Sequence, residues 1–343
     1  MRRARPVVMR GERPVAMRGE RPVVRRGGRP VAVRGERPVV RRAGRPGAAG
    51  LGVLADGFLG EPPLSPHPVA AFGMAMRALE RRLYADRRAV GLAHAAAGVS
   101  LGAAAGALLG STAAATYLAV AGRALREVSA EVAVALEAGD LELARRLVPS
   151  LVGRDPAGLD ASELARAVVE SLAENTVDAV VAPALWGAVG GAPGVLAYRA
   201  ANTLDAMVGH RSERYESYGW ASARVDDAAN WVPARVTALL VAAVRPRRAV
   251  PIWRTVRTDA AEHPSPNAGV AEAAFAAALG LRLGGLNRYG DRVELRPSLG
   301  DGRPVEPGDI ALAAALSRDV SVALAAVLIG SALIRRLASG ERA

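Results

Sequence analysis

The sequence predicts an all-α, polytopic membrane helical protein with amphipathic cytoplasmic helices and loops and a disordered N-terminal tail. Three observations predict it. Residues 89–122 run for 34 positions without a charged side chain, well past the about 20 that a helix needs to cross a bilayer. Hydrophobic residues make up 51% of the chain, and further apolar stretches cover 179–198, 229–244 and 320–334. Strand signals are confined to one short run, Arg292–Arg296.

The tail comes first. Arg-Pro recurs every eight residues from Arg5-Pro6 to Arg45-Pro46, with too much Gly and Pro for a helix. Residues 1–46 are therefore expected to be a disordered low-complexity segment, and 47–338 a single membrane-embedded domain. The formal net charge of +12 is located in this tail: residues 1–50 hold 15 Arg and 3 Glu, and the remainder holds 30 of each sign. A charge-neutral body excludes a nucleic-acid surface as the main reading. Cysteine is absent, which excludes disulfides and thiolate metal sites. Lysine is absent too, which excludes a P-loop lysine or a Schiff base.

The first apolar stretch carries Gly98, Gly102, Gly106 and Gly110, a ladder of small residues suited to close helix contact. It is long enough for one over-long helix or for a hairpin of two spans. Arg123–Leu151 then shows apolar residues at helical spacing among charges. Asp160, with Glu163 three residues later, has the spacing of a capping box. The stretch 179–198 is interrupted by Pro183 and by Gly190-Gly191. Pro233 is expected to break the helix around it and free backbone groups for a ligand. A helix is expected over Ala271–Leu281, opened by the turn-rich Ser265-Pro266-Asn267-Ala268-Gly269.

Charges crowd where apolar helices begin. Glu170, Glu174 and Asp178 fall at i, i+4 and i+8, on one helical face. Like charges at that spacing repel, so something positive must face them; Mg²⁺ with phosphate suits carboxylates at a membrane boundary. The alternative is a solvated acidic face paired with Arg166 or Arg199. A second cluster holds Asn202, Asp205, His210 and Arg214, then Asp226, Asp227, Asn230 and Arg235. Its arginines offer the planar fork that fits phosphate or carboxylate. His210 has no second histidine nearby, which argues against zinc. A third cluster is the loop with Ser265 and Asn267, whose free amides at a helix start attract anions.

In this order the clusters resemble the adenosylcobinamide-phosphate synthase family of cobalamin biosynthesis. The resemblance runs from about Asp56 to Asp319. It rests on Asp56, Gly60-Glu61-Pro62-Pro63, His67-Pro68-Val69, Gly153-Arg154-Asp155 and Glu170-Ser171…Glu174-Asn175…Asp178. It continues through Asn202-Thr203-Leu204-Asp205-Ala206-Met207-Val208-Gly209-His210, Gly219-Trp220-Ala221-Ser222, Asp226-Asp227…Asn230…Pro233-Ala234-Arg235 and Ser265–Gly269. The family usually has Asp where this chain has Glu61, and a full apolar span before Asp56, where only Gly47–Ala55 is apolar here.

The resemblance implies a multi-pass enzyme of the inner cell membrane with a cytoplasmic active site. Its reaction joins the free propionate of adenosylcobyric acid to 1-aminopropan-2-ol or its O-phosphate, with ATP as co-substrate and Mg²⁺ as cofactor. Implied partners are the corrinoid, the amine, the bilayer and enzymes of the same pathway. Glu170, Glu174, Asp178, Asp205, Asp226 and Asp227 are the expected catalytic carboxylates, with Glu174, Asp178 and Asp226 at the metal. Asn175, Asn202, His210, Arg214, Asn230, Arg235, Ser265 and Asn267 are expected to bind substrates. Two other readings fit the same residues: a Mg²⁺-dependent membrane transferase of prenyl or phosphatidyl groups, and a non-catalytic scaffold or transport component for corrinoid enzymes.

Overall fold

The computed structural model describes residues 38–153, 155–210, 212–289 and 292–339. The tail from residue 1 to 37, and Arg154 of the Gly153-Arg154-Asp155 motif, lie outside the described residues. Helix α1 begins at Pro38, eight residues before the expected boundary at residue 46, and runs to Leu59, taking in Arg45-Pro46. It packs along the C-terminal helix α12 (Asp309–Ala338), where a side chain on Gly50 would meet Ile329 and the Ala325 carbonyl. That partner explains why a Gly-rich segment is helical here: packing outweighs weak propensity. At its end the buried Asp56 accepts the Arg123 backbone N–H at 3.0 Å, tying α1 to the first turn of α5 (Gly122–Glu137).

Helix α2 (Pro68–Leu83) leads to α3 (Arg88–Leu109), which is about 33 Å long at 1.5 Å per residue. Left-handed Gly110 ends α3, and α4 (Thr112–Ala119) has only 8 residues. Residues 89–122 are thus one span-length helix and a short helix, not two spans. The glycine ladder works as expected: side chains on Gly102 or Gly106 would run into the Leu196 and Ala192 carbonyls. The single amphipathic run predicted for 123–151 divides at Gly139 into α5 and α6 (Leu141–Leu147).

Helix α7 (Ala161–Thr176) opens with the expected capping box between Asp160 and Glu163. A π-helical turn, Val177–Val181, joins it to α8 (Ala182–Leu204), and a second π turn, Asp205–Gly209, comes after α8. Inside α8 the chain reverses at Gly191, whose φ of 67° and ψ of −158° are open only to glycine. The reversal is visible in contacts: Tyr198 Oη donates to the Asp178 carbonyl at 3.2 Å, although 20 helical residues would separate them by about 30 Å. The apolar stretch 179–198 is therefore two antiparallel arms, not one crossing, and the glycine ladder of α3 packs on the returning arm.

Helix α9 (Trp220–Val244) continues through Pro233, correcting the expected break. Proline removes the N–H that would bond the Ala229 carbonyl; the Trp186 indole N–H takes that carbonyl instead, at 3.1 Å. α10 (Ala249–Thr258) and the Ala-rich α11 (Ala268–Leu279) come next. The predicted short strand is part of a hairpin, β1 (Leu283–Tyr289) against β2 (Arg292–Leu299), antiparallel with Leu286 opposite Leu295.

The core joins α7, α9, α11 and α12, through residues such as Leu164, Leu172, Val241, Phe275, Ile310 and Leu316. Among the described residues three helical stretches are long and apolar enough to cross a membrane: Arg88–Leu109, Ala161–Gly209 with its reversal, and Asp309–Ala338. The expected stretch 229–244 falls in α9, which is not one of them. Large apolar side chains point outward from the spans, including Leu101, Leu108, Val322, Val327 and Ile334. In water such a band would be costly; in lipid it is the favourable surface. The protein is an all-α polytopic membrane protein carrying one small hairpin.

Candidate functional site

The two π turns and the N-terminal half of α9 meet at one cavity of about 170 Å³. Its walls are Glu174, Val177, Asp178, Asp205, Ala223, Asp226, Asp227, Asn230, Ser265, Asn267 and Ala268. Five of these are carboxylates, and no basic side chain among the described residues lines it. Each π turn carries one of the five, Asp178 or Asp205. A π turn inserts an extra residue into the helical ladder and rotates the residues beyond it, a device common at functional sites. Gly209 is part of the fit, because any side chain there would strike Asp205 Oδ1.

A web of amides spaces the acids. Asn202 Nδ2 donates to Asp178 Oδ2 at 3.2 Å and to Asp226 Oδ1 at 3.3 Å, holding two like charges on one donor. Asn230 Nδ2 donates to Asp226 Oδ2 at 3.0 Å, and Tyr198 Oη donates to Asn230 Oδ1 at 2.8 Å. The reversal at Gly191 makes this possible, since it brings Tyr198 and Asn202 back alongside Asp178. Burial pushes the carboxyl of Asp226 up from the ordinary range, against the opposing bonds from Asn202 and Asn230. Burial also raises Asp227, with nearby Arg224 opposing.

On the far wall Asn267 Nδ2 donates to the Asp227 carbonyl at 2.8 Å, and Asn267 Oδ1 accepts from Arg235 Nη1 at 3.0 Å. Arg235 in turn lies over the Trp231 ring at 4.5 Å. Ser265 Oγ accepts the amides of Asn267 and Ala268, at 3.3 and 3.1 Å, so the turn-rich loop caps α11. Beneath that loop the buried His263 lies 3.8 Å from Glu272 and 3.3 Å from Arg296 of β2. Glu272 and Arg296 are not among the residues expected from the sequence; a carboxylate inside an otherwise apolar helix was the available signal.

Several expected site residues lie elsewhere. Glu170 Oε1 accepts from Arg166 at 3.3 Å and from the Gly284 amide at 2.9 Å, fastening α7 to β1. Asn175 donates back to the Ser171 carbonyl and hydroxyl and does not line the cavity. Arg214 pairs with Glu80 at 3.0 Å and lies over Tyr84 at 4.0 Å, latching the loop after α8 to α2. His210 meets Tyr215 edge-on and faces a second, open cavity of about 440 Å³.

Among the described residues no group of three or more acidic or histidine side chains is arranged to hold a metal ion by itself. Mg²⁺ does not need such a group, because it takes one or two carboxylates and completes its shell with water or substrate oxygens. A protonated amine meets the same requirement for positive charge.

The family model for CobD/CbiB proteins matches residues 49–317. The chain is 49% identical over 302 residues to a protein named cobalamin biosynthesis protein CobD from Mycobacterium tuberculosis strain H37Rv, covering 83% of this chain and 95% of that one. It is 45% identical over 276 residues to a protein of the same name from Geobacter metallireducens, covering 75% and 86%. A third, from Halalkalibacterium halodurans, is 40% identical over 268 residues, covering 73% and 84%. No solved structure matches. The match takes in every carboxylate of the cavity and the loop that closes it, and the chain belongs to the CobD/CbiB protein family.

Proposed function

We propose that this protein acts in cobalamin biosynthesis as a membrane enzyme that joins a corrinoid propionate to 1-aminopropan-2-ol or its O-phosphate, at the expense of ATP. The names of its relatives support the pathway. The single observation that carries the reaction is the small cavity walled by five carboxylates and lined by no cation among the described residues. Carboxylates clustered this closely attract protons or cations, and both an amine and Mg²⁺ supply positive charge.

The chemistry is dictated by the reactants. A carboxylate does not acylate an amine in water, so the propionate oxygen first attacks the γ-phosphorus of ATP, giving an acyl phosphate and ADP. The amine nitrogen then attacks the acyl carbon, phosphate leaves, and the nitrogen gives up a proton as the amide forms. Glu174, Asp178 and Asp226 would hold Mg²⁺, which supplies neutralisation of phosphate charge. Asp205 and Asp227 would hold the ammonium and, once ionised, accept the proton the amine must lose. Asn202 and Asn230 set the spacing of these acids. Arg235 acts by positioning Asn267. The active site would open to the cytoplasmic face of the inner membrane, where ATP is available.

The test is the purified protein in lipid nanodiscs with adenosylcobyric acid, ATP, Mg²⁺ and either 1-aminopropan-2-ol or its O-phosphate, read by mass spectrometry. Amide product with release of ADP is expected. Absence of product from folded protein with both amines overturns the reaction.

A further inference from the structure

The acidic cavity does not stand alone. Ala223 and Asp227 also line the open cavity of about 440 Å³, so the two compartments share a wall. The second compartment adds what the first lacks, basic and aromatic side chains. It presents the guanidinium groups of Arg88 and Arg224 and the rings of His210, Tyr215 and Trp220, together with Pro264 and Pro266 of the closing loop. Glu216 is its other acid besides Asp227. Among the described residues neither Arg88 nor Arg224 is in an ion pair, and both are exposed. Arg88 lies over the Trp220 ring at 5.4 Å, placing a cation beside a flat aromatic face.

Size separates the compartments further. The acidic one is below the about 300–1,000 Å³ usual for sites of cofactor-sized ligands, while the open one falls within that range. Aromatic and proline surfaces suit a planar base, and planar arginine forks suit phosphate oxygens. A chain without lysine has to hold polyphosphate with arginine, metal and backbone amides.

We propose that the compartment of Arg88, His210, Trp220 and Arg224 is the nucleoside triphosphate site, with the base against Trp220 and the phosphates running past Arg224 to Asp227. This rests on the ligase reading above and deepens it. The terminal phosphate then arrives at the shared wall, next to the carboxylates that would receive the cation and the amine. Arg88 lies far from the acidic motifs in the sequence, and Arg224 stands two residues before Asp226-Asp227.

The experiment measures binding, not turnover. Full-length protein in nanodiscs is titrated with a fluorescent ATP analogue and Mg²⁺, without corrinoid or amine, and ATP is used to compete. Aminopropanol phosphate binding is measured separately by calorimetry. Arg224→Gln and Trp220→Ala are each expected to weaken ATP competition about tenfold or more, with amine binding unchanged. Arg88→Gln serves as a second arginine variant if Arg224→Gln does not fold, as judged by its melting curve. Three results overturn the assignment: no ATP binding by the wild-type chain into the millimolar range, unchanged ATP affinity in all folded variants, or loss of amine binding with ATP binding intact. The last would make the compartment the site of the phosphorylated amine. Failure of the ligase reading looks different: the wild type binds ATP, the variants lose it, and no amide forms.

Discussion

Glu170 and Glu174 lie one turn apart on the same helix and face different parts of the molecule. Glu170 is closed in by Arg166 and the Gly284 amide. Glu174 opens on a cavity shared with four aspartates and lined by no basic side chain among the described residues. The same division holds across the molecule. Glu80 with Arg214, and Asp309 with Arg303, are matched pairs that fasten loops to helices. Asp178 and Asp226 are spaced by amides instead, which separate like charges without cancelling them, and Asp205 and Asp227 face the same space. Ion pairs in this fold fasten elements together, while the clustered carboxylates of the cavity mark a candidate site.

The largest effect should come from the uncancelled set. Asp178→Asn and Asp226→Asn are each expected to lower turnover by about a thousandfold or more while the protein still inserts and folds. Rates within tenfold of wild type in both would make the cavity structural. Glu170→Gln should do the reverse, costing about 1–3 kcal/mol of stability by weakening the bonds to Arg166 and Gly284, with kcat within about threefold. A thermal melt beside the amide assay reads both, and a large kcat loss at unchanged stability would move Glu170 into the site.

A smaller effect sharpens the contrast. Asp205 faces like charge across the cavity from Asp226 and Asp227. Asp205→Asn should therefore raise the stability of the ligand-free protein by about 1 kcal/mol, a few degrees in Tm, while lowering activity. A drop in Tm would mean that the charge is already cancelled. The smallest effect is in pH. Asp226 and Asp227 titrate above their unfolded values, so the folded state binds more protons between the unfolded and folded pKa values. Their unfavourable contribution is full above the folded pKa and disappears below the unfolded one. Relative to the Asp226→Asn/Asp227→Asn double variant, wild-type Tm should rise as pH falls from above the folded pKa values toward the unfolded ones, and activity should fall as the Tm rises. Parallel Tm curves for the two proteins would refute the shifted titrations.

Much of the architecture is legible in local sequence. The capping box at Asp160, the glycine ladder of α3, the helix after Ser265 and the strand at Arg292 depend on neighbours within a few residues or on one buried face. Other readings fail for long-range reasons. Pro233 reads as a helix breaker until Trp186, 47 positions earlier, is seen to take the carbonyl that proline leaves free. The Gly-rich start of α1 reads as coil until α12 is packed against it. Glu170, Glu174 and Asp178 read as one face because four-residue steps keep nearly to one side of an α-helix. The π turn at Val177–Val181 changes that register, and β1 claims Glu170.

Composition alone limits the available chemistry to carboxylates, amides and arginines, with no thiol and no lysine, and leaves apolar stretches that only lipid or a large core can cover. The sequence also carries the ordered motifs by which the family is recognised. Which charges meet depends on long-range packing. The reversal at Gly191 carries Asn202 back to Asp178, and α9 brings Asp226 to the same donor. Local propensity is blind to that reversal, because a single glycine with φ near 67° costs little in the sequence and redirects every later contact.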